Sequence, residues 1–302
     1  MAACAAHGVA QLRSGRAQDA ARLGQDAIAL LDRHNHAVPL FLLRQTADAT
    51  LTSGDGDTGE ALLERAMRYV ESGGQQGIDP LDRARVLGER ARRLINRGQP
   101  AQAEPLLRQS HQLFTTAGSE LEAATAMGEI ADIAYQRGDY DEALRIHREV
   151  QLPVYQHLGD TRSTAITWGK IADIAYQRGD YDSATELQRK RLDVHRQLGD
   201  LDGIAAANWG LAKIDLAQHD YQSAFHRAHE SFQILRHLRR PDGIAIVGVT
   251  LAQLLVAADL PDDAHEVLDE SLAAATSIGS ADLIRQIHKL RHNLPDDGNE
   301  QK

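Results

Sequence analysis

The side chains able to do chemistry are few and mostly isolated. His226 and His229 lie three apart, with Glu230 adjacent and His219 one or two helical turns earlier. On a helix, histidines at i and i+3 can share a metal ion. That spacing fixes no third ligand, and a chain with 14 histidines produces such pairs by chance. A solvated helix face is therefore the reading, with a metal-assisted hydrolase as its alternative. Asp55, Asp57 and Glu60 in SGDGDTGE imitate the opening of a calcium loop. A helix begins too early after them, at Ala61-Leu62-Leu63, and no bidentate Glu closes the loop, so an enlarged turn between helices is expected. The one cysteine, Cys4, sits at a chain end, and no G-x-x-x-x-G-K-S/T, H-E-x-x-H or G-x-S-x-G pattern occurs. The expectation is no catalytic residue, no metal, no cofactor and no enzyme activity.

Composition narrows the partners. The 302 residues carry 33 Lys and Arg against 43 Asp and Glu, a formal charge of −10. With no basic cluster, the chain is not built to neutralise phosphates or an anionic membrane, so neither nucleic acid nor a membrane surface is expected. A single cysteine excludes an internal disulfide framework and fits a reducing compartment, with the cytoplasm as default. The most apolar stretch, residues 244–260, is short for a span, carries Gln253 and Asp259, and reads as a buried helix. Hydrophobic residues make up 42% but aromatics only 4%, so the core is aliphatic and Ala-rich, which favours helix on helix.

Such helices would have to come from a repeat. IADIAYQRGDYD occurs at 130–141 and again at 171–182. Anchored on the alanine after the turn, the series reads Ala20, Ala61, Ala103, Ala143, Ala184, Ala224 and Ala264, at steps of 41, 42, 40, 41, 40 and 40. Twelve residues before each stands a small residue: Gly8, Ala91, Ala131, Ala172, Ala212 and Ala252, and Ala47 in the second repeat if SGDGDTGE holds two extra residues. Each unit reads as two helices, in the fourth 121–137 and 140–157, with apolar and small residues at the helical period. Gly159-Asp160 and Gly199-Asp200 provide a stop and an N-cap, Asp79-Pro80 a cap and first position, and Ser119 with Glu122 a capping box. Paired small residues let antiparallel helices approach closely, and stacking the pairs makes one continuous core.

Small residue, G-D-Y turn, then Ala resembles the tetratricopeptide repeat, over roughly residues 1–280. The period of 40–42 exceeds that family's usual ~34 and is similar to the long repeats of kinesin light chains, Leu-Gly-Asn repeat adaptors and bacterial signalling proteins. The resemblance implies an all-α, right-handed α-solenoid of about seven helix-turn-helix repeats. It implies a single superhelical domain over 1–292, with repeats at about 1–38, 39–78, 79–118, 119–159, 160–199, 200–240 and 241–279. A closing helix at 281–291 and a disordered tail at 293–302 follow.

The resemblance also implies a concave surface lined by first helices. The inward positions would be Arg44, Asp48 and Leu51, then Gly88, Arg92, Ile95 and Asn96, then Gly128, Asp132, Tyr135 and Gln136. They continue with Gly169, Asp173, Tyr176 and Gln177, then Trp209, Lys213 and Leu216, then Val249, Gln253 and Val256. The family's peptide-carboxylate clamp uses Lys and Asn where Gly128, Gly169, Asp132 and Asp173 stand, which argues against carboxylate capture. Two Asp–Tyr steps leading to Trp209 imply a peptide with Lys or Arg beside an apolar residue. Arg92 and Lys213 stand close enough in the pattern to pair with those aspartates and silence them. Trp209 should face the groove and Trp168 should pack between helices.

The function implied is a protein-interaction scaffold. Its alternative is the sensor or regulatory section of a larger signalling protein, such as a nucleotide-switch ATPase or a caspase-like protease partner. A third reading is an oligomerisation module that self-associates through an uncapped first repeat.

Overall fold

The computed structural model describes residues 16–72 and 79–292. Every regular element among them is helical. The chain divides into two compact units, residues 1–146 and 147–302. The first holds α1 (Ala17–Arg33), α2 (Leu40–Thr52), α3 (Gly56–Glu71), α4 (Pro80–Asn96), α5 (Pro100–Thr116), α6 (Glu120–Gln136) and the first part of α7 (Tyr140–Arg145). Helix α7 continues as a π-helical segment, Ile146–Gln151, and then Leu152–His157. The second unit goes on with α8 (Thr161–Gln177), α9 (Tyr181–Leu198), α10 (Leu201–Ala217) and α11 (Tyr221–His237). It ends with α12 (Pro241–Ala257), α13 (Pro261–Ser277) and α14 (Ala281–His292).

Within each unit successive helices pack on one another as hairpins joined by short turns. The paired small residues sit at the crossings: Ala91 with Ala103, Ala131 with Ala143, Ala172 with Ala184, Ala212 with Ala224 and Ala252 with Ala264 are all buried. Two turns away from the crossing, Ser110 Oγ donates to the Ala84 carbonyl at 2.8 Å and Ser231 Oγ to the Ala205 carbonyl at 2.9 Å, tying second helix to first.

The second repeat needs a correction. Ala61 is exposed, whereas Gly59 is buried against Leu51 and lies twelve residues after the fully buried Ala47. The turn before α3 therefore has the ordinary length, and the anchor is Gly59. The steps become 39 and 44, so the surplus residues fall between α3 and α4. A helix crossing selects for size, and glycine serves there as well as alanine.

The turns explain themselves by backbone sign. Gly98, Gly138 and Gly179 take φ of 72°, 82° and 75°, the left-handed residue that ends each first helix. His219 and Asp259 adopt φ of 63° and 60° at the equivalent places, and Arg239 takes 55° where other junctions have glycine. Arg239 lacks the short polar side chain that eases this conformation. Arg239→Gly should therefore raise stability by about 1 kcal/mol, read as a higher denaturant midpoint.

Asp55, Asp139, Asp160, Asp180, Asp200 and Asp220 each cap the following helix by accepting a backbone N–H three residues on, and Asp79 caps α4 through Leu81. Ser119 is the exception: it occupies the N-cap of α6, but its side chain makes no capping bond, so the expected box with Glu122 is not formed. Glu122 instead faces Arg85 at 3.6 Å.

Helix α7 departs from the regular α-helix expected over 140–157. The step from Ala143 to Ala184 is 41 residues against 40 on either side, and α7 absorbs the extra residue as its π-helical turn. Pro153 follows directly and cannot donate the α-helical bond to Glu149. Just before and after it His147, Gln151 and Tyr155 are buried in a chain of hydrogen bonds, 2.6 Å from His147 Nδ1 to Gln151 Oε1 and 3.1 Å from Gln151 Nε2 to the Tyr155 hydroxyl. At the far end α14 buries Ile287 against α12 and α13. The expectations for Cys4, Gly8, the uncapped start and the 293–302 tail lie outside the described residues.

Candidate functional site

In the first unit α2, α4 and α6 present their inward positions side by side. Arg92 donates to Glu89 at 2.7 Å and to Glu129 at 3.0 Å, so it pairs with glutamates and not with an aspartate. Burial pushes the Glu129 carboxyl above its ordinary value, with Arg92 opposing the shift. Arg92, Asn96, Asp132 and Gln136 line one pocket of about 260 Å³ with Ile95, Glu129 and Ile133. Tyr135 leaves that group and packs on the turn residue Tyr140, ring centroids 5.3 Å apart. Asp132 and Tyr135 both have partners, so neither stands free.

A second pocket of about 290 Å³ opens between α2, α4, α5 and α6. Leu107, Phe114, Leu121 and Ala126 give it apolar wall, and Arg44, Asp48, Arg85, Glu89, Arg92, Glu122 and Glu129 give it a charged lining.

In the second unit the Asp–Tyr step is already occupied. Lys213 Nζ lies 3.1 Å from Asp173 Oδ1 and 5.6 Å from the centre of the Tyr176 ring. Lys213 makes the carboxylate and aromatic contacts that the sequence reserved for a ligand's cation. This is a first-helix pairing at a separation of 40 residues, one repeat. Tyr176 also packs on Tyr181, as Tyr135 does on Tyr140. Gln177 and Gln253 are exposed. Trp209 packs against a core that includes Phe232, Leu251 and Ile287. It and Trp168 are both half-buried, so the expected contrast between the two tryptophans is weak.

Sequence reading missed Arg191. Gly169 leaves no side chain at its crossing, and the Arg191 guanidinium from α9 fills the vacated space: a Cβ at Gly169 would stand 2.8 Å from its Cζ. Burial lowers the Arg191 pKa, and its Nε has no partner. The signal was present, because Ser110, Arg191, Ser231 and Ser271 recur at repeat spacing and only one of them is large.

The remaining candidates resolve into structure. Asp55 caps α3, and Glu60 pairs with Arg97 at 3.1 Å and Arg90 at 3.5 Å. His229 stacks on Phe225 and stands 3.3 Å from Gln233 Nε2. Among the described residues no cluster of three His, Cys, Asp or Glu could hold a metal, and no helix is long and apolar enough to cross a membrane.

With this geometry in hand, the comparisons concern the fold. The family model described as tetratricopeptide repeat matches residues 82–151 and 163–237. No curated protein matches. Among solved structures, the apo form of RapI is similar with a TM-score of 0.70 at 11% identity, covering 98% of this chain and 82% of that one. A Rap protein complexed with Competence and Sporulation Factor gives a TM-score of 0.68 at 14% identity, over 96% and 86%. A signal transduction ATPase with a tetratricopeptide repeat sensor from Pyrococcus horikoshii gives 0.62 at 16% identity, over 90% of this chain but 41% of that one. Turn glycines, buried crossing alanines and paired helices match what the family model recognises, so residues 82–151 and 163–237 are tetratricopeptide repeats within an all-α run of consecutive helical hairpins.

Proposed function

We propose that this protein is a non-catalytic interaction scaffold that holds a peptide or protein segment on the face formed by its first helices. One observation carries the reading. In the first unit two adjoining pockets, of about 290 and 260 Å³, open on that same face, combining apolar wall with polar groups. Pockets lined this way bury an apolar anchor and fix its orientation through a few polar contacts. A structurally similar Rap protein was solved in complex with a factor, which supports reading the fold as one that receives a partner.

The preference for a basic ligand is narrower than the sequence implied. Since Lys213 holds Asp173 and Asp132 also has a partner, a ligand cation would have to displace an existing contact at either aspartate. The similarity to an ATPase sensor, of which this chain matches less than half, supports a second reading as the sensor section of a larger signalling protein.

The test is selection from a randomised peptide library, followed by photo-crosslinking of enriched peptides. Crosslinkers placed at Asn96, Gln136, Gln177 and Gln253 on first helices should capture peptide, whereas those at Gln109 and Lys190 on second helices should not. Equal capture from both sets, or no enriched peptide, overturns the proposal.

A further inference from the structure

The larger pocket of the first unit has two charged side chains left over. Arg92 is taken by Glu89 and Glu129, and Arg85 stands 3.6 Å from both Asp82 and Glu122. Arg44 and Asp48, one turn apart on α2, make no hydrogen bond or ion pair among the described residues, and Arg44 Nε is buried without a partner. Burial disfavours the charged form of each, lowering the Arg44 pKa and raising that of Asp48, the latter with help from Glu89. Arg44, with a buried Nε that has no partner, and Asp48, a carboxylate without an ion pair, thus line the same cavity.

The cavity exists because two neighbouring positions are small. A Cβ built on Gly88 meets nothing closer than Ser110 Oγ at 3.5 Å and Arg92 Nη1 at 3.8 Å. The equivalent space at Gly169 is filled by Arg191, at the position that Ser110 holds two repeats earlier. With Ser110 turned to the Ala84 carbonyl, no large side chain enters the space beside Gly88.

The sign of the ligand follows. An anion at Arg44 would face Asp48, Asp82 and Glu89, and a cation at Asp48, though drawn by Glu89 as well, would face Arg44, Arg92 and Arg93; each meets both attraction and repulsion. A neutral amide avoids this, since its carbonyl accepts from Arg44 while its N–H donates to Asp48. We propose that this pocket binds an uncharged stretch of peptide, an amide on Arg44 and Asp48 and an adjacent apolar side chain against Leu107, Phe114 and Leu121. This rests on the scaffold reading and gives the ligand class of one pocket.

The experiment uses the full chain and capped hexapeptides, acetylated and amidated, with one position fixed as Leu and the others randomised. Enriched peptides should carry Asn, Gln or small polar residues beside Leu, with no excess of Lys, Arg, Asp or Glu. Their affinity should change little when salt is raised to about 0.5 M. Gly88→Leu should abolish binding by filling the cavity, and its thermal midpoint should not fall, because a Cβ there makes only ordinary contacts, the cavity takes the rest of the side chain, and a helix-interior glycine is removed. The double variant Arg44→Gln/Asp48→Asn should weaken binding about tenfold or more. Binding by Gly88→Leu at wild-type strength, or Gly88-dependent selection of charged peptides, overturns this proposal. If first-helix crosslinks survive in that case, the scaffold reading stands without it. Failure of any peptide to bind the wild type overturns both.

Discussion

Leucine in place of Ala184 should cost about 1–3 kcal/mol of stability, and leucine in place of Ala143 the same. Both alanines are fully buried at the crossing of a hairpin, facing Ala172 and Ala131 respectively. A leucine there has no empty volume to enter, so it must push the helices apart or adopt a poor rotamer. The opposite change calibrates the scale. Phe232, the largest fully buried side chain of the second unit, should cost about 3–5 kcal/mol as Phe232→Ala, because its cavity lies between tightly packed alanines. In a repeat array each helix pair contacts chiefly its neighbours, so the damage should remain local. Hydrogen exchange should show protection lost first in α8 to α10 for the Ala184 variant and in α10 to α13 for the Phe232 variant. Unchanged denaturant midpoints in both leucine variants would mean that these positions are not crossings.

The architecture was legible because it depends on residue size at fixed intervals. IADIAYQRGDYD, its glycine turns and the alanines at 40 or 41 residues place the helices with no reference to what the protein binds. The lapse in the second repeat has the same origin. Alanine marks the crossing in the other repeats, but the crossing asks only for a small residue, and Gly59 supplies it. The π-helical turn in α7 was equally inaccessible, although the 41-residue step and Pro153 together mark it.

The proposed face was legible by position and not by partnership. Arg92, Asn96, Asp132 and Gln136 do converge on one pocket. Which charges remain available depends on neighbours 37 to 40 residues away, as in Arg92 with Glu129 and Lys213 with Asp173. Asp173 is taken up by Lys213 from the following step, and Asp132 does not stand free either. Repetition predicts place, while the departures from repetition decide chemistry. Gly88 opposite Ser110 leaves a cavity, and Gly169 opposite Arg191 does not.

Stability should fall as the solution is acidified, with His195 as a principal cause. Its ring is buried and packs on the bare Cα of Gly203, and neither ring nitrogen has a hydrogen-bond partner. Asp200 Oδ2 stands 3.0 Å from Nδ1 but out of line, and Arg162 competes for that carboxylate at 3.0 Å. Burial is the main force that depresses the His195 pKa below 6.5, and the nearby Arg191 adds to it, against the pull of Asp200. The folded protein therefore keeps this histidine neutral where an unfolded chain would take up a proton. The unfolded state binds more protons below pH 6.5, so the contribution is whole above that pH and is lost as pH falls through the lower folded value. One such group can supply a limiting slope of about 1.4 kcal/mol per pH unit. The check is the denaturant midpoint between pH 7.5 and 5 for wild type and for His195→Gln, whose side chain cannot titrate. Wild type should lose more stability across that range than the variant. Parallel curves would assign the acid sensitivity to other groups, and a steeper loss in the variant would reverse the sign argued for His195.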